Sequence, residues 1–186
     1  GTASAPTQIA VQSEGSQTGV TAGNAATATV FRVRDGSNNA VQGVTVSFET
    51  TGTGSLSVAS AVTNASGDAS VTLTTGTTVE TATVTASFVN ASAATVSTST
   101  TIASTFGAKN KLAIQTQPSS SGSSGTALSQ QPILLIQDAN GNTVTNATDT
   151  VTAAVQSGNA SITAGSTKAA VAGVATFSGL TMTDVD

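Results

Sequence analysis

The alternation of apolar and polar side chains at every second residue constrains this chain most. In "TATVFRVRD", Phe31 and Val33 alternate with Arg32 and Arg34. In "GVTVSFE", Val44, Val46 and Phe48 take one face, and Thr45 and Ser47 take the other. "ASVTL" groups Ala69, Val71 and Leu73, and "TATVTASF" groups Ala82, Val84, Ala86 and Phe88. "ATVSTSTTIA" carries a weaker version around Val96 and Ile102. Successive side chains of a strand point to opposite faces, so the pattern predicts strands with one buried and one wet face. No segment has a convincing helical period, and clusters of Gly, Asn, Asp and Ser separate the strands. The expected fold class is all-β.

The core such strands can build is thin. Hydrophobic residues are 38% of the 186, but only 3% are aromatic, so Val, Ala, Leu and five Phe must fill the interior. Abundant Thr and Val suit a half-buried sheet. Ser-, Thr- and Gly-rich chains of low charge also make disordered linkers, but here the apolar positions are too regularly spaced for that. Charged residues are 8%, with a net charge of −4. The five basic residues, Arg32, Arg34, Lys109, Lys111 and Lys168, are scattered, whereas phosphate binding needs them clustered; no nucleic acid partner is expected. No apolar run reaches membrane-spanning length, so no membrane insertion is expected. The start, "GTASAPTQIA", has neither the basic nor the apolar region of a signal peptide, which predicts a mature form or an internal fragment. With no Cys there is no disulfide scaffold.

The second half repeats the first. "VFRVRDGSNNAV" aligns with "ILLIQDANGNTV", so that Phe31 matches Leu134, Val33 matches Ile136, and Asp35 matches Asp138 (138 − 35 = 103). "SGDASVTL" aligns with "AGVATFSG", so that Gly67 matches Gly173 (173 − 67 = 106), and Leu56 matches Ile162 at the same offset. A period near one hundred residues fits tandem β-sandwiches and is too long for a solenoid. The predicted division is a sandwich over 1–105, a linker over 106–110 and a second sandwich over 111–186. Counterparts of "TATVTASF" and "ATVSTSTTIA" are missing from copy two. The second sandwich is therefore expected to lack its last strands, through truncation of a longer chain or because another chain supplies them.

Residues 33–88 resemble a bacterial immunoglobulin-like repeat of the invasin and intimin type. The resemblance rests on an Asp-led turn, then "VQGVTVSF", "TNASGDASVTL" and "ATVTA". Residues 111–184 are similar to Ig-like repeats of large bacterial surface proteins. The resemblance implies tandem Ig-like sandwiches in an exported, extracellular cell-surface protein, often an adhesin, in which such domains act as non-catalytic spacers. The second reading kept open is a subunit of an extracellular filament, sheath or phage decoration completed by a neighbour's strands. Expected partners are neighbouring Ig-like repeats of the same or an identical chain, extending to a homopolymer. No functional residue carries over from the family.

The chemistry-bearing residues point the same way. There is no His to act as base and no Cys to act as nucleophile, and no Ser-x-x-Lys motif joins a serine to Lys109, Lys111 or Lys168. The nine acids, Glu14, Asp35, Glu49, Asp68, Glu80, Asp138, Asp149, Asp184 and Asp186, fall mostly in turns or at strand ends, where Asp caps backbone groups. Zinc and iron sites need Cys or His. One stretch, "QDANGNTVTNATDT", spaces Asp138, Asn140, Asn142, Asn146 and Asp149 as a calcium loop spaces its oxygens. Counted from Asp138 its sixth residue is Thr143 where an EF-hand has Gly, and copy one, "RDGSNNAVQGVTV", reaches Val46 at the twelfth position counted from Asp35. A turn is therefore preferred, with calcium as the second reading. Gly36 and Gly141 occupy different positions, which predicts separate turn geometries. Catalytic, cofactor-binding and metal residues are all expected to be none. Four Asn-x-Ser/Thr sequons occur, at Asn64, Asn90, Asn146 and Asn159.

Overall fold

A computed structural model of the chain describes residues 3–183. The chain divides into two compact units, Gly1–Thr105 and Phe106–Asp186. The first contains β1 (Pro6–Ser13), β2 (Gln17–Thr21), β3 (Thr29–Asp35), β4 (Thr45–Thr50), β5 (Ser55–Leu56), β6 (Ser60–Val62), β7 (Asp68–Val71), β8 (Leu73–Thr74), β9 (Thr81–Val89) and β10 (Thr95–Thr105). One sheet has the order β1-β3-β7 and the other β2-β10-β9-β4-β6, with β5 and β8 as a separate pair. All pairings are antiparallel except β2 with β10, which is parallel. The fold is all-β, as expected.

The period-two residues meet in one core. Phe31 and Val33 from β3 pack with Val46 and Phe48 from β4, Ala69 and Val71 from β7, and Ala82, Val84, Ala86 and Phe88 from β9. The Phe31 and Phe48 rings, one from each sheet, lie 5.8 Å apart at 37°, a tilted contact that ties the sheets together. The strand that looked weakest, β10, is the longest at eleven residues. Thr100 and Ser104 continue its inward row beside Ile102. The Ser104 hydroxyl accepts the Glu80 N–H at 2.9 Å and donates to the Glu80 carbonyl at 3.1 Å, which makes its burial tolerable.

The second unit contains β11 (Lys111–Thr116), β12 (Ile133–Gln137), β13 (Thr150–Thr152), β14 (Ser161–Ala164), β15 (Thr167–Ala169), β16 (Val174–Thr176) and β17 (Thr181–Thr183). Its pairings, β11-β12-β16, β13-β15 and β14-β17, repeat β1-β3-β7, β4-β6 and β5-β8 of the first. The register repeats too: Leu112 lies opposite Ile136 and Ile114 opposite Leu134, as Ile9 lies opposite Val33 and Val11 opposite Phe31. Ile136, Val144, Ala147, Val151, Ala175 and Phe177 form its core. Among the described residues it has no counterpart of β2, β9 or β10. Residues 106–110, expected to be a linker, belong to this unit. Phe106 packs on its core, because an aromatic ring at that point gains more from burial than from solvent.

Candidate functional site: the Asp35 and Asp138 turns

Among the described residues one five-residue turn occurs four times, led by Asp35, Asn64, Asn90 and Asp138. In each, the N–H of the fourth residue donates to the first carbonyl: Asn38 to Asp35 at 3.0 Å, Gly67 to Asn64 at 2.8 Å, Ala93 to Asn90 at 3.0 Å and Gly141 to Asp138 at 3.2 Å. The first residue's N–H donates to the fifth carbonyl at 2.9 to 3.0 Å in all four. The fourth residue is always left-handed, with φ of 69°, 74°, 60° and 93° in chain order. A turn closed by a left-handed residue matches the twist of a β-hairpin. Asn38 and Gly141 therefore occupy one geometry. The expectation that the two Asp loops are built differently is corrected: Gly36 carries no positive φ, and Asn tolerates the left-handed region well enough to stand for Gly.

The leading side chain closes the turn from above. Asn64 Oδ1 accepts the N–H groups of Ser66 and Asp68, and Asn90 Oδ1 accepts those of Ser92 and Ala94. Asp35 Oδ1 does the same for Ser37 and Asn39, at 2.9 and 2.8 Å. Asp138 Oδ1 accepts the Asn142 N–H at 2.9 Å. Two of the four sequons thus lead turns, because Asn supplies the oxygen that an Asx turn requires. The other two, Asn146 and Asn159, are exposed.

Aspartate does something that asparagine cannot. Its second oxygen reaches a separate stretch of chain: Asp35 Oδ2 accepts the Ser4 N–H at 2.8 Å, and Asp138 Oδ2 accepts the Gly107 N–H at 2.9 Å. Both bonds span 31 residues, so the same contact recurs in each unit. Asn39 and Asn142 add side-chain N–H donors to the same oxygens, at 3.0 and 2.9 Å. Both carboxylates are buried, with Asp35 0% and Asp138 2% exposed. The Ser4 N–H, then the Asn39 side chain and the Asn39 and Ser37 N–H groups, hold Asp35 at about 2 against the effect of burial. For Asp138 burial pushes upward, but the Gly107 N–H, both donors of Asn142 and the Asn140 N–H more than offset it and hold the group at about 2.

The direction of these donors bears on the two readings of "QDANGNTVTNATDT". A calcium ion needs oxygens turned toward one point. Here N–H groups are turned toward the Asp138 carboxylate, and the Asn142 side chain presents its amide nitrogen to it. Asp149 is engaged elsewhere, 2.7 Å from the Lys109 ammonium, and Asn146 is exposed. Among the described residues no three acidic side chains come together as a metal site. Of the other acids, Asp68 makes a two-bond pair with Arg32 at 2.6 and 2.8 Å, and Glu80 accepts the Thr53 N–H and hydroxyl at 2.8 Å. Asp184 and Asp186 lie outside the described residues. The arrangement holds chain segments together.

The family model of the bacterial Ig-like domain (group 1) matches residues 10–106. No curated protein matches the chain. Among solved structures, the D00–D0 domain of intimin is similar over 53% of this chain and 46% of that one, at 24% identity and a TM-score of 0.40. The D0–D1 domain of intimin is similar over 96% and 86%, at 19% identity and a TM-score of 0.41. FdeC, an Escherichia coli adhesin, is similar over 93% of this chain and 55% of its own, at 24% identity and a TM-score of 0.46. The chain thus spans less than half of the first of these structures.

Proposed function

The chain belongs to the bacterial Ig-like domain family (group 1), and from that premise we propose that it is a non-catalytic spacer in the stalk of an extracellular bacterial surface protein. The observation that carries this reading is the duplicated aspartate staple. The most elaborate polar site in each unit spends its lone pairs on fastening a chain segment to the sandwich. In the second unit the fastened residue is Gly107, near the unit's first residue. A spacer needs short connections and inert surfaces, and with charged residues at 8% little charge is offered for recognition. Target binding then belongs to another part of the same surface protein.

Two measurements test the reading together. Antibody raised against the chain should label intact cells of the source bacterium without permeabilisation. The purified chain should show no saturable binding to host cells or glycans. Labelling only after permeabilisation, or saturable binding, would overturn the spacer assignment.

A further inference from the structure

In the first unit, the outward face of the five-stranded sheet is built mostly of hydroxyls. Every outward position of β9 from Thr81 to Ser87, and of β10 from Thr95 to Thr101, is Ser or Thr. The two strands pair without a bulge, so Thr83 lies opposite Thr101, Thr85 opposite Ser99 and Ser87 opposite Ser97. β4 and β6 extend the last of these rows, with Ser47 opposite Ser87 and Ser60 opposite Ser47. Four serines thus stand in line across four neighbouring strands, and none of their side chains bonds another described residue. In the next row, Val62 (opposite Thr45) and Val89 (opposite Thr95) are 61% and 66% exposed. Glu49 is the one charged residue at the outward positions of β4, β6, β9 and β10. Arg32 and Arg34 belong to β3, in the other sheet.

We propose that this face binds the same face of a second copy of the chain. A hydroxyl both donates and accepts, so a surface made of hydroxyls is complementary to itself. A face carrying several charges of one sign would repel its copy, and the chain as a whole carries −4, but this face carries a single acid. A two-fold axis laid along the serine row brings each serine to its own image and sets Val89 on the methyl of Thr85. Glu49 then meets Thr45, and the two copies of Glu49 stay apart. Four strands about 4.8 Å apart and four rows about 6.7 Å apart cover about 500 Å² per copy, so a pair buries about 1,000 Å². Stable specific complexes bury about 1,200 Å² or more, so a single contact of this kind is weak and reversible. Many stalks side by side on a surface turn such contacts into avid lateral binding. The stalk setting rests on the spacer reading. The contact itself is measured without cells or host ligands, so either can fail alone.

The test tethers the whole chain at high density to beads through an added terminal cysteine, which is unique because the chain has none. Beads carrying the parent should cluster, and salt at about 1 M should leave the clusters intact, since no charge pair holds them. Ser47→Lys with Ser97→Lys sets like charges face to face and should abolish clustering. Both positions are exposed, so the variant should keep the parent's circular dichroism spectrum. Beads carrying Ser47→Glu with Ser97→Glu should stay dispersed alone and cluster when mixed with the Lys-bearing beads. Ala10→Lys with Ser70→Lys adds the same charge to exposed positions of the other sheet and should cluster like the parent. Parent beads that stay dispersed overturn the proposal. So does clustering that survives Ser47→Lys with Ser97→Lys, or that is lost equally with Ala10→Lys and Ser70→Lys. Clustering lost with Leu112→Ser and Ile114→Ser but kept with the Ser47 and Ser97 lysines also overturns it, and assigns the contact to the second unit.

Discussion

At the scale of single residues, the choice between aspartate and asparagine carries the meaning. An Asn leads a turn with one oxygen; an Asp leads the same turn and holds a second segment with the other. Asp138→Asn should therefore keep the turn and release the Gly107 amide. Hydrogen exchange checks this: Gly107 should exchange fast in the variant while Asn142 stays protected. The acid response follows from linkage. With a folded value of about 2 against the ordinary aspartate value of 3.8, the unfolded chain binds protons first as pH falls. The stability from Asp138 is complete above about pH 4 and is lost as pH falls toward 2. Thermal melts of the parent should fall through that window, and the variant, already weaker at neutral pH, should fall less steeply there. In the turn led by Asn90 the fourth residue is Ala93 at φ 60°, where an L side chain costs about 1–2 kcal/mol. Ala93→Gly should remove that strain, offset in part by the greater flexibility of Gly when unfolded, for a net gain of about 0.5–1 kcal/mol seen as a higher first-unit melting temperature.

At the scale of elements, the turns show how local chemistry selects backbone geometry. Ala170 stands where Asn64 stands in the first copy, and with no side-chain acceptor the Asx-led turn cannot form. The chain uses a tighter turn instead: the Val174 N–H donates to the Val171 carbonyl, with Ala172 and Gly173 both at positive φ, 50° and 78°. Gly173 also passes so near the neighbouring loop that an added Cβ would lie 2.5 Å from the Val144 carbonyl oxygen. Gly173→Ala combines left-handed strain with a backbone clash and should cost the second unit about 2–4 kcal/mol, measured by chemical denaturation. Strands such as β3, β4 and β9 were legible in the sequence because apolar residues mark their inward positions. β10 was under-read because Thr100 and Ser104 hold inward positions with hydroxyls, and a hydropathy pattern cannot register a buried Ser whose partner is the Glu80 backbone. β2 was missed for a different reason. It exists by pairing with β10, and the matching stretch of the second unit, which has no such neighbour among the described residues, forms no strand.

At the scale of the whole molecule, the two units should differ in how well they cover their cores. Residues 1–105 expressed alone should melt cooperatively and bind little of an apolar dye such as ANS. The full chain should bind it at the open face of the second unit, and Leu112→Ser with Ile114→Ser should reduce that binding. Half exposure of each side chain forgoes about 1 kcal/mol relative to full burial, so the second unit should also be the less stable. Equal dye binding by residues 1–105 and by the full chain would contradict this account.

By itself the sequence determined the all-β class, the inward residues of the main strands and the repeat joining Asp35 to Asp138. Each of these is written in side-chain spacing, and spacing is a property of the linear chain. Only the tertiary structure decided that the Asp138 loop is a staple. Its spacing left calcium open as a second reading, and what the fold adds is the direction of N–H groups from Asn140, Asn142 and the distant Gly107. Only the tertiary structure decided, too, that Leu112 and Ile114 are open where Ile9 and Val11 are covered. Burial depends on which strands arrive from elsewhere, and no local pattern records that.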